Sequence, residues 1–169
     1  MQMVRNILLI ALALLVQSTL GTRMEIMGAR PDFALLMLML LANRGSTVTS
    51  IMYGFFIGFL QDVYSPEFLG ANAFAMSLMG FMLGEFRERL AVEHTGVKFV
   101  SIVVAILVHD AVYLSFYSRF EFSVAWTLFV RESLADALYT AVFGVVLVVI
   151  WQWLERGGFF SVVRELLGD

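Results

Sequence analysis

The stretch Thr47-Val48-Thr49-Ser50-Ile51-Met52-Tyr53-Gly54-Phe55-Phe56-Ile57-Gly58-Phe59-Leu60-Gln61-Asp62 combines two signals. It is apolar over about the length that crosses a bilayer core as a helix. Its polar and small members, Ser50, Gly54, Gly58 and Asp62, recur at a strict spacing of four. Residues four apart share one helix face, and small residues on one face let a neighbouring backbone come close. The stretch therefore reads as a membrane helix with a packing seam. Gly80 and Gly84 repeat the spacing further on. A ligand groove along the same stripe is the competing reading.

Working outward, further apolar runs of similar length follow one another along the chain. The spans are expected at about residues 4–21, 31–42, 46–62, 69–86, 97–118 and 131–154. Pro31 suits a helix start, where its missing N–H costs nothing, and Asp32 beside it suits the positive end of the helix dipole. Ser46 or Thr47 is positioned to cap the third span. Arg5 precedes the first apolar run, as in a signal peptide. No small-residue cleavage pattern follows, so the run is expected to be retained as a helix. Beyond Gly157-Gly158, Phe159, Val162, Val163 and Leu166 recur at helical spacing, which predicts a short interfacial helix over 159–167. The expected fold class is all-α: a polytopic bundle of about six transmembrane helices forming a single membrane domain over residues 1–169.

Composition agrees. Of 169 residues, 60% are hydrophobic, against about 45–50% in a soluble domain, and the mean hydropathy is +0.86. The chain has no cysteine, which excludes disulfides, thiolate nucleophiles and cysteine metal sites. Its two histidines, His94 and His109, are too few and too distant in sequence for a histidine-rich metal site. A net charge of −3 gives no reason to expect nucleic-acid binding. No cofactor motif, nucleophile elbow or phosphate loop is present in the sequence.

Lysine and arginine set the orientation. With six spans, Arg5, Arg44, Arg87, Arg89, Lys98, Arg156 and Arg164 lie on the side of the termini, and Arg23, Arg30, Arg119 and Arg131 on the other. This bias of seven to four places both termini in the cytoplasm.

Asp110 falls near the middle of the fifth span. A charge there costs about 2.5–3.5 kcal/mol on insertion scales, so it should face the bundle interior and find a partner. The sixth span offers Arg131, Glu132 and Asp136 as an intramembrane polar cluster. Glu132, Asp136, Thr140 and Gly144 again step by four. A hydrogen-bonded network that fixes helix register, a proton path and a polar ligand pocket are the three readings. His109 points about 100° away from Asp110 on a helix and need not touch it; it reads as a satisfied core histidine.

Several segments resemble the MreD family of rod shape-determining membrane proteins. Arg30-Pro31-Asp32-Phe33-Ala34-Leu35-Leu36 is similar to the opening of that family's second helix. Gly54-Phe55-Phe56-Ile57-Gly58-Phe59-Leu60-Gln61-Asp62 resembles its Gly-Phe-x-x-Gly-x-x-x-Asp motif. Ser65, Leu69-Gly70, Ala73 and Ala75-Met76-Ser77 continue that pattern, and Asp110 matches an aspartate of the fifth helix. The likeness covers roughly residues 30–117 in order, while the first helix and last fifty residues match in hydropathy alone. The resemblance implies a non-enzymatic scaffold in the bacterial cytoplasmic (inner) membrane, surrounded by lipid. It implies MreC as partner, in an elongation complex with MreB, RodA and its penicillin-binding protein. It also implies a fold similar to the substrate-binding membrane subunits of energy-coupling-factor transporters, though likeness of fold does not carry function.

A binding or transport subunit for a lipid-linked or small polar ligand is the alternative, using the region of Asp62 and Asp110. Those transporter subunits carry an Ala-x-x-x-Ala contact in the first helix. This first helix has Ala11 and Ala13 but no such pair. An intramembrane enzyme would need a catalytic set that the sequence does not display.

Overall fold

A computed structural model of the chain describes residues 2–19, 25, 29–42, 45–64, 68–90 and 95–155. Those residues are helical or belong to short turns, with no β-strand element among them. The helices are α1 (Gln2–Thr19), α2 (Phe33–Ala42), α3 (Thr47–Tyr64), α4 (Ala71–Leu90), α5 (Thr95–Tyr117), α6 (Phe122–Leu128) and α7 (Leu134–Glu155). A π-helical turn, Phe129–Ser133, joins α6 to α7, so one helix runs from 122 to 155 with a single irregularity. The tail helix expected over 159–167 lies outside the described residues.

α2 is the hub. It has only ten residues, and seven of them are buried. It touches α1, α3, α4 and α7. A helix that is apolar all round belongs inside a bundle, and the Phe33–Ala42 sequence has no polar residue to turn outward. Its Leu35 and Leu38 share one buried core with Ile57 of α3, Met76 and Met79 of α4 and Ile106 of α5. The helix proper begins at Phe33, later than Pro31, because Asp32 acts as its N-cap: Asp32 Oδ1 accepts the Leu35 N–H at 2.9 Å. Ser46 caps α3 in the same way, accepting the Thr49 N–H at 3.2 Å.

Outward faces are apolar on every long helix. Leu8 and Leu12 on α1, Phe56 and Phe59 on α3, Phe74 and Phe81 on α4, Val104 on α5, and Leu138 and Val142 on α7 are all exposed. Soluble monomers rarely expose continuous apolar patches of this extent. By length and composition, one helix among the described residues is long and apolar enough to cross a membrane alone, Gly96–Tyr117. Asn6–Thr19 and Phe33–Ala42 are apolar but shorter.

The turn between α5 and α6 closes as a Schellman motif. The Phe120 N–H reaches the Ser115 carbonyl (2.8 Å), and the Arg119 N–H reaches the Phe116 carbonyl (3.0 Å). Arg119 and Phe120 both take positive φ, 53° and 63°. Around this end Phe68, Phe74, Tyr113, Phe116, Tyr117 and Phe120 make ring contacts.

Candidate functional site

The α3–α4 hairpin is a backbone-to-backbone contact. A Cβ on Gly54 would sit 2.1 Å from the Met76 carbonyl oxygen, and one on Gly58 would sit 2.2 Å from that of Asn72. From the opposite helix, a Cβ on Gly80 would meet the Ser50 oxygen at 2.3 Å, and one on Gly84 would meet Thr47 Cα at 2.8 Å. Each step of four along α3 is thus matched by a step of four back along α4. Ser50 is fully buried in this seam and returns its hydroxyl to the Ser46 carbonyl at 3.1 Å.

Asp62 closes the hairpin. Its side chain is fully buried and accepts three backbone N–H groups: Gly70 at 2.9 Å, Asn72 at 3.0 Å and Ala73 at 2.9 Å. These are orphan donors at the start of α4. A carboxylate there also opposes the positive end of the helix dipole. Gly70 makes the approach possible with a φ of +97°, a conformation open to glycine. Leu69 and Phe55 point outward, 65% and 45% exposed. At the far end of α4, the Arg87 guanidinium donates to the Gly45 carbonyl and ties the α2–α3 turn down.

A second junction forms where the chain enters α2. The Arg30 N–H donates to Asp136 Oδ1 at 2.7 Å, the Asp32 N–H to Thr140 Oγ1 at 3.0 Å, and the Phe33 N–H to Gln17 Oε1 at 2.7 Å. Pro31, fully buried, has no N–H to satisfy. Buried backbone polar groups need partners, and α1 and α7 supply them here. The Arg30 side chain turns outward to Glu25 at 2.6 Å.

Asp110 hydrogen-bonds to its own neighbour: His109 Nδ1 lies 3.1 Å from Asp110 Oδ1. The two residues touch, contrary to the expectation from helix geometry alone, because Nδ1 stays close to the helix and reaches the next carboxylate. The expected cluster of Arg131, Glu132 and Asp136 is divided. Asp136 and Thr140 face the start of α2, whereas Arg131 and Glu132 are exposed. The π-turn supplies the reason. Its wider turn takes Glu132 off the face that Asp136, Thr140 and Gly144 share. Arg131 is therefore not the partner of Asp110 in this structure. Asp136 remains within electrostatic range of Asp110, Glu132 and Asp32.

Gln17 is the residue that sequence reasoning missed. A lone amide near the end of an apolar run reads as an interfacial residue, and nothing local marks Phe33 as its partner. No three His, Asp or Glu side chains among the described residues converge as a metal site.

A helical bundle with an apolar exterior, whose buried side chains are spent on its own backbone, defines a membrane protein held together by internal polar clasps. The sequence matches the family model for the rod shape-determining protein MreD over residues 1–156, and the chain belongs to the MreD family. That match takes in the first helix and all of α7, beyond the motifs of residues 30–117. No curated protein matches the chain, and no solved structure does. Membership places the protein in rod shape determination.

Proposed function

We propose that this protein is a non-enzymatic scaffold of six membrane spans with both termini in the cytoplasm. In this reading α1 to α5 each supply one span, and α6, the π-turn and α7 together supply the sixth. The scaffold partners MreC and helps couple MreB filaments to RodA and its penicillin-binding protein. The observation that carries the proposal is the use made of Asp62. A transport or ligand-binding subunit would draw on this buried carboxylate, but its oxygens are occupied by three backbone N–H groups. A shallow crevice between α1, α2 and α3, lined by Ile10, Ala13, Leu14, Ala34, Met37 and Ile57, is apolar and has no room for a water-sized molecule. Sites that enclose small molecules run to about 300–1,000 Å³. The outward apolar faces suit lipid and partner helices.

A pull-down of the tagged protein from membranes solubilised in mild detergent tests the proposal. Recovery of MreC at fixed stoichiometry is the expected result. Recovery of an ATPase pair with a transporter scaffold would overturn it.

A further inference from the structure

The backbone is irregular on both sides of α6. On one side the π-turn, Phe129–Ser133, holds one residue more than a turn of α-helix would. On the other, the α5–α6 turn puts two consecutive residues with side chains, Arg119 and Phe120, in the left-handed region, where a Cβ crowds the following carbonyl. Between them the seven residues of α6 include no buried side chain that would fix their rotation. No side chain caps the start of α6 at Glu121. At its other end the Phe129 N–H is shared between the carbonyls of Ala125 and Trp126, the three-centre bond common at helix termini. The Phe122, Trp126 and Phe129 rings stack along one face, and Phe122 and Trp126 are exposed.

We propose that α6 is a two-position lever, in which the extra residue of the π-turn passes into the α5–α6 turn. α7 stays in place, held through Asp136 and Thr140 at the start of α2. Without the extra residue, the backbone before Leu134 continues as regular α-helix. α6 is then turned by about 100° and moved by about 1.5 Å along its axis, the step of one residue. The α5–α6 turn takes up the displacement and releases the left-handed pair at Arg119 and Phe120. The move swings the Phe122–Trp126 face to another side of the molecule. It also brings Glu132 onto the face of Asp136, four residues away, where Thr140 and Gly144 follow. Two carboxylates at that spacing repel, which favours the position seen here, with Glu132 exposed. A π-turn next to a clamped α7 thus gives the fold two directions in which to present one aromatic surface, whatever partner meets it.

The native chain has no cysteine, so paired cysteine substitutions can carry spin labels. Electron–electron double resonance of the frozen full chain in lipid nanodiscs then reads distances without averaging over positions. Val48→Cys on α3 with Ser123→Cys reports α6, and Val48→Cys with Ala135→Cys reports α7; all three positions are exposed. The expected result is two distances for the α6 pair and one for the α7 pair. Deleting Val130, itself exposed, removes the extra residue and should leave the main α6 distance alone. Glu132→Gln relieves the repulsion from Asp136 and should enlarge the minor population about twofold. A single distance for the α6 pair would overturn the proposal. So would two distances for both pairs, or a minor population that survives the deletion. Should the deletion variant not fold, Glu132→Gln carries the test, and a minor population that it leaves unchanged overturns the lever.

Discussion

Asp62 and Asp32 each accept amide N–H groups at the start of a helix, and they do different work. Asp32 caps its own helix, a local arrangement. Asp62 caps α4 from α3, so one carboxylate fixes the closure of a hairpin. Hydrogen bonds to a charged acceptor are worth about 1.5–3 kcal/mol each where a partner would otherwise be stranded. Asparagine offers one acceptor oxygen and turns a donor toward N–H groups. Asp62→Asn is therefore expected to lower stability by about 1–3 kcal/mol, and Asp62→Ala by more, measured as thermal unfolding of the purified protein in detergent. Unchanged melting in both variants would show that water replaces the carboxylate. Arg119 offers the opposite sign. It holds a left-handed conformation at the position where glycine is favoured. Arg119→Gly should raise stability by up to about 1 kcal/mol, and a fall in melting temperature would show that its side chain contributes more than its backbone costs.

Among the elements, the glycines differ in what surrounds them. A methyl group at Gly58 meets the Asn72 backbone, which cannot swing aside, whereas one at Gly144 meets the ends of the Leu36 and Ile102 side chains. Overpacking costs about 1–3 kcal/mol when the neighbours cannot yield. Gly58→Ala should therefore reduce folded yield and melting temperature clearly, and Gly144→Ala only slightly. Equal effects would mean that α3 and α4 separate freely. The four-residue step of Ser50, Gly54, Gly58 and Asp62 is a local property of one helix and can be read along the chain. The helix that the stripe faces is not local, and periodicity does not name it. Asp136 and Thr140 show the same limit. Their spacing is visible, yet their partners are backbone groups at residues 30 and 32, more than a hundred positions away. The π-turn leaves no periodic signature, so along the chain the stripe runs on through Glu132. His109 and Asp110 read as diverging neighbours because side-chain length is not part of a helical wheel.

For the whole molecule, helical class was legible because long apolar runs leave few other ways to satisfy a backbone in lipid. The count of spans rests on composition: α3 is less apolar than α5 because its side facing α4 carries small and polar residues, and α4 because its C-terminal end carries Glu85, Arg87, Glu88 and Arg89. Cysteine scanning is clean here because the native chain has none. In intact cells a cysteine at Glu67 should react with an impermeant thiol reagent, and a cysteine at Glu93 should resist it. The reverse pattern would invert the proposed orientation.

The clasp at the start of α2 also bears on biosynthesis. A chain delivered into the bilayer from its N-terminus presents residues 30–33 long before Asp136 and Thr140 emerge from the ribosome. Until then the Arg30 and Asp32 amides lack the acceptors that α7 supplies. The start of the central helix gains these two contacts only once α7 has formed. A chain cut short before α7 would reach the membrane with its centre still open, a natural mark for quality-control proteases.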